Sequence, residues 1–239
     1  MHPLRTALLS LSCLIAVPAI GEDLPSFGDS SSGIVSQREE RELGHAYLSI
    51  IRGQTAQIPD PLLKNYLEDT VYRLAESSQV QDPRFSFILL KSPQLNAFAA
   101  PGGIIGVNGG LFLYAQNEGE FASVLAHELA HLSQRHFARG LEARQQMQIP
   151  MMAAMLGGII AMAAGAGDAG VAAIASSQAA AMQAQQRFSR QNEQEADRIG
   201  MQTLGNAGYD PRSMPDMFNR LMSQYRYNSK PPEFLMSHP

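Results

Sequence analysis

The sequence predicts an α+β fold, mainly helical, with a small antiparallel sheet. Three observations predict it. Long stretches carry apolar residues at i, i+4 spacing between capping residues; three short β-rich runs gather between residues 85 and 107; and the segments after them read as helical. Strands gathered in one stretch, with helices before and after, suit the segregated α+β class better than alternating α/β.

Each element has a local cause. Residues 36–51 predict a helix, with Ser36 as N-cap and acids in the first turn. Asp60-Pro61 opens a second helix to about Ser77, whose Leu62, Leu63, Tyr66, Leu67, Val71 and Leu74 give an i, i+4 apolar face. Phe85–Leu90 reads as a strand. Two more, about 96–100 and 104–107, flank a Pro101-Gly102-Gly103 turn. A short helix starts near Gly109, and residues 118–138 read as one helix. Further helices are expected at about 189–207, ended by Gly208, and at about 211–226, entered through Asp210-Pro211. The tail after it is a Pro-rich loop.

Composition removes several classes of function. The 239-residue chain carries a formal charge of −4, so it lacks the basic footprint of a nucleic-acid binder. With 45% hydrophobic and 17% charged residues it is not a disordered chain. A single cysteine, Cys13, makes neither an intrachain disulfide nor a cysteine-rich zinc site.

The first residues read as a secretory leader. Arg5 precedes an apolar run from Ala7 to Val17, Pro18 breaks it, and Ala19-Ile20-Gly21 supplies small residues before a cut ahead of Glu22. The run falls short of the roughly 20 residues that span a bilayer. Residues 1–21 are therefore expected to be a signal peptide and 22–35 a linker, which implies export to an oxidising compartment. A lipoprotein anchored at Cys13 is the alternative, though Ser10-Leu11-Ser12 is a poor motif for it. The catalytic unit is then 36–239.

Residues 145–186 stand apart. Between Arg144 and Arg187 the ionisable side chain is Asp168, amid many Met, Ala and Gly. The segment reads as a helical hairpin packed on the domain or as a Met-rich lid touching a membrane or partner. Residues 149–167 are also long enough for a membrane span, the third reading.

Chemistry is carried by His127-Glu128-Leu129-Ala130-His131. Four helical residues turn about 400°, so both imidazoles project on one face about 40° apart. Two ring nitrogens so placed can reach one Zn²⁺ at about 2.0–2.1 Å. Glu128 borders the same face, within reach of a metal-bound water as general base. Among six histidines in the chain this spacing is rare by chance.

A catalytic zinc site takes a third protein ligand and leaves one position open. Glu193 is the candidate, and Asp197, four residues on, shares its face. Asp197 would accept a hydrogen bond from a ligand imidazole and fix its tautomer. The plainer alternatives are an exposed Glu193 paired with Arg190 or Arg198 and a surface salt bridge at Asp197. Glu195 points away from that face, solvated or paired. His136 sits about 140° from His131 on a continuous helix, which predicts a surface or helix-end role. His45 is expected to be structural.

The order NAFAAPGG, HELAH, NEQEAD resembles the zinc metallopeptidases that include the heat-shock protease HtpX and the CAAX prenyl protease. HELAH marks many metalloproteases. The Glu-x-x-Ala-Asp motif and the upstream Asn-Ala-Phe-Ala strand make the likeness specific, over about residues 36–239. It implies a gluzincin-type metallopeptidase domain with one Zn²⁺ held by His127, His131 and Glu193. Within that family the chain is similar to the secreted bacterial branch that enhances β-barrel assembly. That branch is soluble and continues into tetratricopeptide repeats, so the resemblance implies that this chain is a fragment, with repeats beyond Pro239. It also implies quality control of unfolded or misassembled outer-membrane proteins, with the outer-membrane barrel-assembly machinery as partner.

Three expectations complete the reading. The strand of Asn96, Ala97, Phe98 and Ala99 is expected to be a substrate platform, pairing with extended peptide through its backbone; an internal strand is the alternative. His238, in a loop, is a candidate for zinc's fourth position and for latency. The function is that of a zinc endopeptidase, against a chaperone-like assembly factor with a latent metal site or a membrane-embedded metalloprotease.

Overall fold

The computed structural model describes residues 35–227. The expected leader, most of the linker and His238 lie outside the described residues. Among the described residues, seven helices and three strands follow in the order α1, α2, β1, β2, β3, α3 to α7.

Helix α1 (Gln37–Gln54) begins at a complete capping box. The Glu39 N–H donates to Ser36 Oγ at 3.2 Å, and the Ser36 N–H donates to Glu39 Oε2 at 2.7 Å. Helix α2 (Pro61–Glu76) starts on Asp60, which accepts from the amides of Leu62 and Leu63, with Pro61 in the first turn where its missing N–H costs nothing.

Strands β1 (Ser86–Leu90), β2 (Ala97–Ala100) and β3 (Ile104–Asn108) form one sheet in the order β1-β3-β2. The β2–β3 hairpin is antiparallel, turning through Gly102 and Gly103, both at positive φ that a side chain would resist. Strand β1 runs parallel to β3, from Ser86↔Ile104 to Leu90↔Asn108, so the sheet is mixed rather than wholly antiparallel. The cause is burial. The residues of β3 are all buried, so it takes the centre and the chain places β1 and β2 on opposite sides of it. That leaves β2 as an edge beside α4.

Helix α3 (Gly109–Tyr114) leads into α4 (Glu118–Ser133), capped by the Asn117 side chain on the Glu120 amide at 2.9 Å. Helix α4 is the axle of the domain. Its Phe121, Leu125 and Leu129 join Leu67 and Leu74 of α2, Val107 of β3 and Leu221 of α7 (Ser213–Tyr227) in the main core. A smaller cluster sets Leu48 of α1 against Ile88 and Ile104 on the sheet.

The stretch 118–138, expected as one helix, is two. Helix α4 stops at Ser133, Arg135 takes the left-handed conformation at φ 51°, and α5 (His136–Ala163) starts afresh. That conformation costs a non-glycine residue about 1–2 kcal/mol. Its guanidinium secures the turn by donating to the Val35 carbonyl at 2.7 Å and pairing with Glu40 at 3.2 Å. Helix α6 (Gly167–Asn206) starts well before the expected 189 and runs 40 residues. Residues 145–186 are thus the distal arms of α5 and α6, packed on each other. Ile149, Leu156 and Ile160 remain exposed there, and α5 is long and apolar enough to cross a membrane.

Candidate metal centre

The site forms where α4 crosses the lower half of α6. Small residues permit the approach: Ala130 packs on Ala196 and Ile199. A Cβ on Gly200 would lie 3.0 Å from the backbone of His127, so glycine there lets the two helices close.

This crossing brings His127, His131 and Glu193 together, with one ligating atom of each within 4.8 Å of the others. The Nε2 atoms of the two histidines are 3.0 Å apart. The Glu193 oxygens lie 3.4 Å from that of His127 and 3.7 Å from that of His131. A tetrahedral ion with bonds of about 2.0–2.1 Å spaces its ligands about 3.3–3.4 Å apart. The triangle is therefore of the right size to share one cation.

The electrostatics agree. Burial works against a charge on His127, which is 2% exposed, yet hydrogen bonds to Asp197 and Glu193 and the nearby charge of Glu128 outweigh it and raise the imidazole to about 9. The same two carboxylates, 3.4 and 2.9 Å from its ring nitrogens, would favour a cation at the site. Asp197 Oδ1 lies 2.9 Å from His127 Nδ1, the geometry that leaves Nε2 bare for a metal.

Glu128, 1% exposed, meets the edge strand: the Ala99 N–H donates to its Oε2 at 2.8 Å. The Asn108 N–H donates to the Asn96 carbonyl, so with the β2–β3 register the backbone groups of Ala99 turn away from β3. A cleft of about 390 Å³ opens there, lined by Phe98, Ala99, Glu128, His131 and Glu193. Ala97 is fully buried, and neither it nor Asn96 lines that cleft. Phe98, Ala99 and Ala100 of the strand line the cleft, together with the Pro101-Gly102-Gly103 turn.

Two site features escaped the sequence reading. Asn192 is 7% exposed, lines the cleft beside Glu193, and its Oδ1 has no partner among the described residues. His136 is not at the surface: it is 6% exposed, with Nδ1 2.8 Å from His131 Nδ1. It does lie at a helix end, as expected, since it opens α5, but the expected 140° assumed a continuous helix, and the turn at Arg135 folds α5 back on the site. Glu195, on the face away from the triangle, is paired with His136 and Arg139.

The chain is 38% identical to the beta-barrel assembly-enhancing protease of Escherichia coli K12, over 96% of this chain and 49% of that protein. It is 42% identical to the protein of the same name from Yersinia pestis, over 90% and 44% respectively. The mitochondrial metalloendopeptidase OMA1 of Arabidopsis thaliana is 28% identical over 62% of the chain and 28% of its own length. The chain spans about half the length of these bacterial relatives. Residues 61–239 match the pattern of peptidase family M48, a stretch that holds α4, both histidines, Glu193 and the edge strand. A metal-sized triangle on two crossing helices, within a match of that extent, places the chain in peptidase family M48.

Proposed function

We propose that this chain is the zinc endopeptidase domain of a periplasmic quality-control protease. Its substrates are misfolded or stalled outer-membrane proteins, whose assembly it also aids. The observation that carries the chemistry is the His127–His131–Glu193 triangle beside the Glu128 carboxylate. One zinc ion per chain, bound there, supplies Lewis acidity and lowers the pKa of a water. His127 and His131 present Nε2, and Glu193 supplies the third ligand. Glu128, oriented by the Ala99 amide, accepts the proton of the attacking water and returns it to the leaving amine.

Substrate lies extended along the cleft side of β2, where backbone pairing makes little demand on side chains. That suits polypeptides already unfolded. The bacterial relatives are named for enhancing beta-barrel assembly, which supports outer-membrane barrel proteins as substrates; the barrel-assembly machinery is the partner we propose with them. The leader pattern supports the periplasm.

A chaperone-like assembly factor with a mostly latent metal site is the second reading. It is favoured by the exposed apolar arm of Ile149, Leu156, Ile160 and Met182, which also suits peripheral membrane contact. The experiment is cleavage of a denatured outer-membrane barrel protein by the purified, zinc-loaded chain. Fragments should appear, cease with 1,10-phenanthroline and return with added Zn²⁺. Cleavage indifferent to chelation contradicts the zinc mechanism. His238 is proposed as the fourth, latency-imposing ligand, so His238→Ala should raise the cleavage rate several-fold. An unchanged rate removes it from that role.

A further inference from the structure

The two histidines of the triangle are backed by different chemistry. His127 Nδ1 meets a carboxylate, Asp197. His131 Nδ1 meets a second imidazole, that of His136, at 2.8 Å. His136 Nε2 in turn lies 3.1 Å from Glu195 Oε2, and Arg139 donates to that same oxygen at 2.7 Å.

Proton placement along this chain has one consistent solution. To bind a metal through Nε2, His131 carries its proton on Nδ1. Two Nδ1 atoms at hydrogen-bond distance share one proton, so His136 Nδ1 accepts. The His136 proton is then on Nε2 and is donated to Glu195, whose charge Arg139 balances. We propose that His136 is a positioning residue for the metal centre, accepting the Nδ1–H of His131 and holding its Nε2 toward the ion. The proposal rests on the metal-site reading above.

Independent features support it. His136 is buried and opens α5 through a turn that puts a non-glycine residue, Arg135, in the left-handed region. Glu195 is held in turn by Arg139 at 2.7 Å, so the far end of the chain is fixed by an ion pair.

The test is zinc affinity of the full chain, measured by competition with a chromophoric chelator. His136→Phe keeps an aromatic ring and removes the acceptor; it should weaken Zn²⁺ binding about 10- to 100-fold. His136→Asn restores an acceptor oxygen near the Nδ1 position and should recover most of the affinity. A role in packing alone lowers the melting temperature of the metal-free protein but leaves the affinity of folded protein unchanged, which overturns the proposal. Ring ¹⁵N shifts of zinc-loaded wild type provide a reading without any variant. His136 should be protonated on Nε2 and bare on Nδ1; the opposite tautomer or an imidazolium overturns it. Wild type that binds no Zn²⁺ defeats the metal-site reading and this proposal with it. Wild type that binds, with His136→Phe equal to it, defeats this one alone.

Discussion

Glu128→Gln should slow hydrolysis of an unfolded polypeptide about 10²- to 10⁴-fold, the range for loss of a general base, while metal content stays at the wild-type level. Glutamine matches glutamate in shape, and its amide oxygen can still accept the Ala99 N–H that Oε2 accepts at 2.8 Å. What disappears is the basic carboxylate. Turnover on a denatured substrate, with zinc measured by elemental analysis on the same sample, tests both halves. A wild-type rate sinks the mechanism. Loss of zinc together with rate shows that Glu128 supports the site structurally. The same variant separates the two functional readings, because a chaperone role survives it and proteolysis does not.

Arg220→Ala should destabilise the domain at neutral pH by about 2 kcal/mol, within the range for a hydrogen bond to a charged group, since Glu120 is buried and Arg220 partly exposed. The Glu120 carboxylate, 3% exposed, accepts from Arg220 at 2.8 and 3.1 Å and from the Gln116 amide at 2.8 Å. Removing the arginine strands that charge in the first turn of α4. The pH dependence has a definite sign. Burial raises the Glu120 carboxyl, but Arg220 and Gln116 outweigh it and hold it below its ordinary 4.5. The pair therefore contributes its full stability above that ordinary value and loses it as pH falls through the lowered one. In the variant burial prevails and Glu120 takes up a proton more readily. The gap between wild type and variant should be widest at pH 7 and shrink toward pH 4. Urea unfolding at both pH values measures it, and a gap below about 0.5 kcal/mol at both would remove Glu120–Arg220 as the anchor of α4.

Much of the site could be read in the sequence because local spacing specified it. The i, i+4 histidines share a face wherever that segment is helical, and Glu193 and Asp197 do the same. The capping residues Ser36 and Asp60 marked helix starts for equally local reasons. What stayed hidden depended on distant partners. Nothing local to Gln134-Arg135 signals a break, since it is held by Val35 and Glu40 about a hundred residues away. Hence neither the separate start of α5 nor the arrival of His136 at His131 could be foreseen. The parallel pairing of β1 was hidden likewise, because which strand takes the centre depends on burial from both faces. The small residues Ala130, Ala196 and Gly200 carry no chemistry of their own, and their service as contact points emerges once the two helices cross.

The length of α6 has a mechanical consequence. A single unbroken helix joins Gly167 at the exposed hairpin turn to Glu193 and Asp197. At 1.5 Å per residue the arm beyond the ligand is about 39 Å long. A tilt of about 5° about the crossing with α4 sweeps the tip through roughly 3 Å. The converse holds too: a load borne at the tip acts on the ligand end with the advantage of a long handle. A displacement of the exposed hairpin end would therefore be passed along one continuous helix to Glu193 and Asp197.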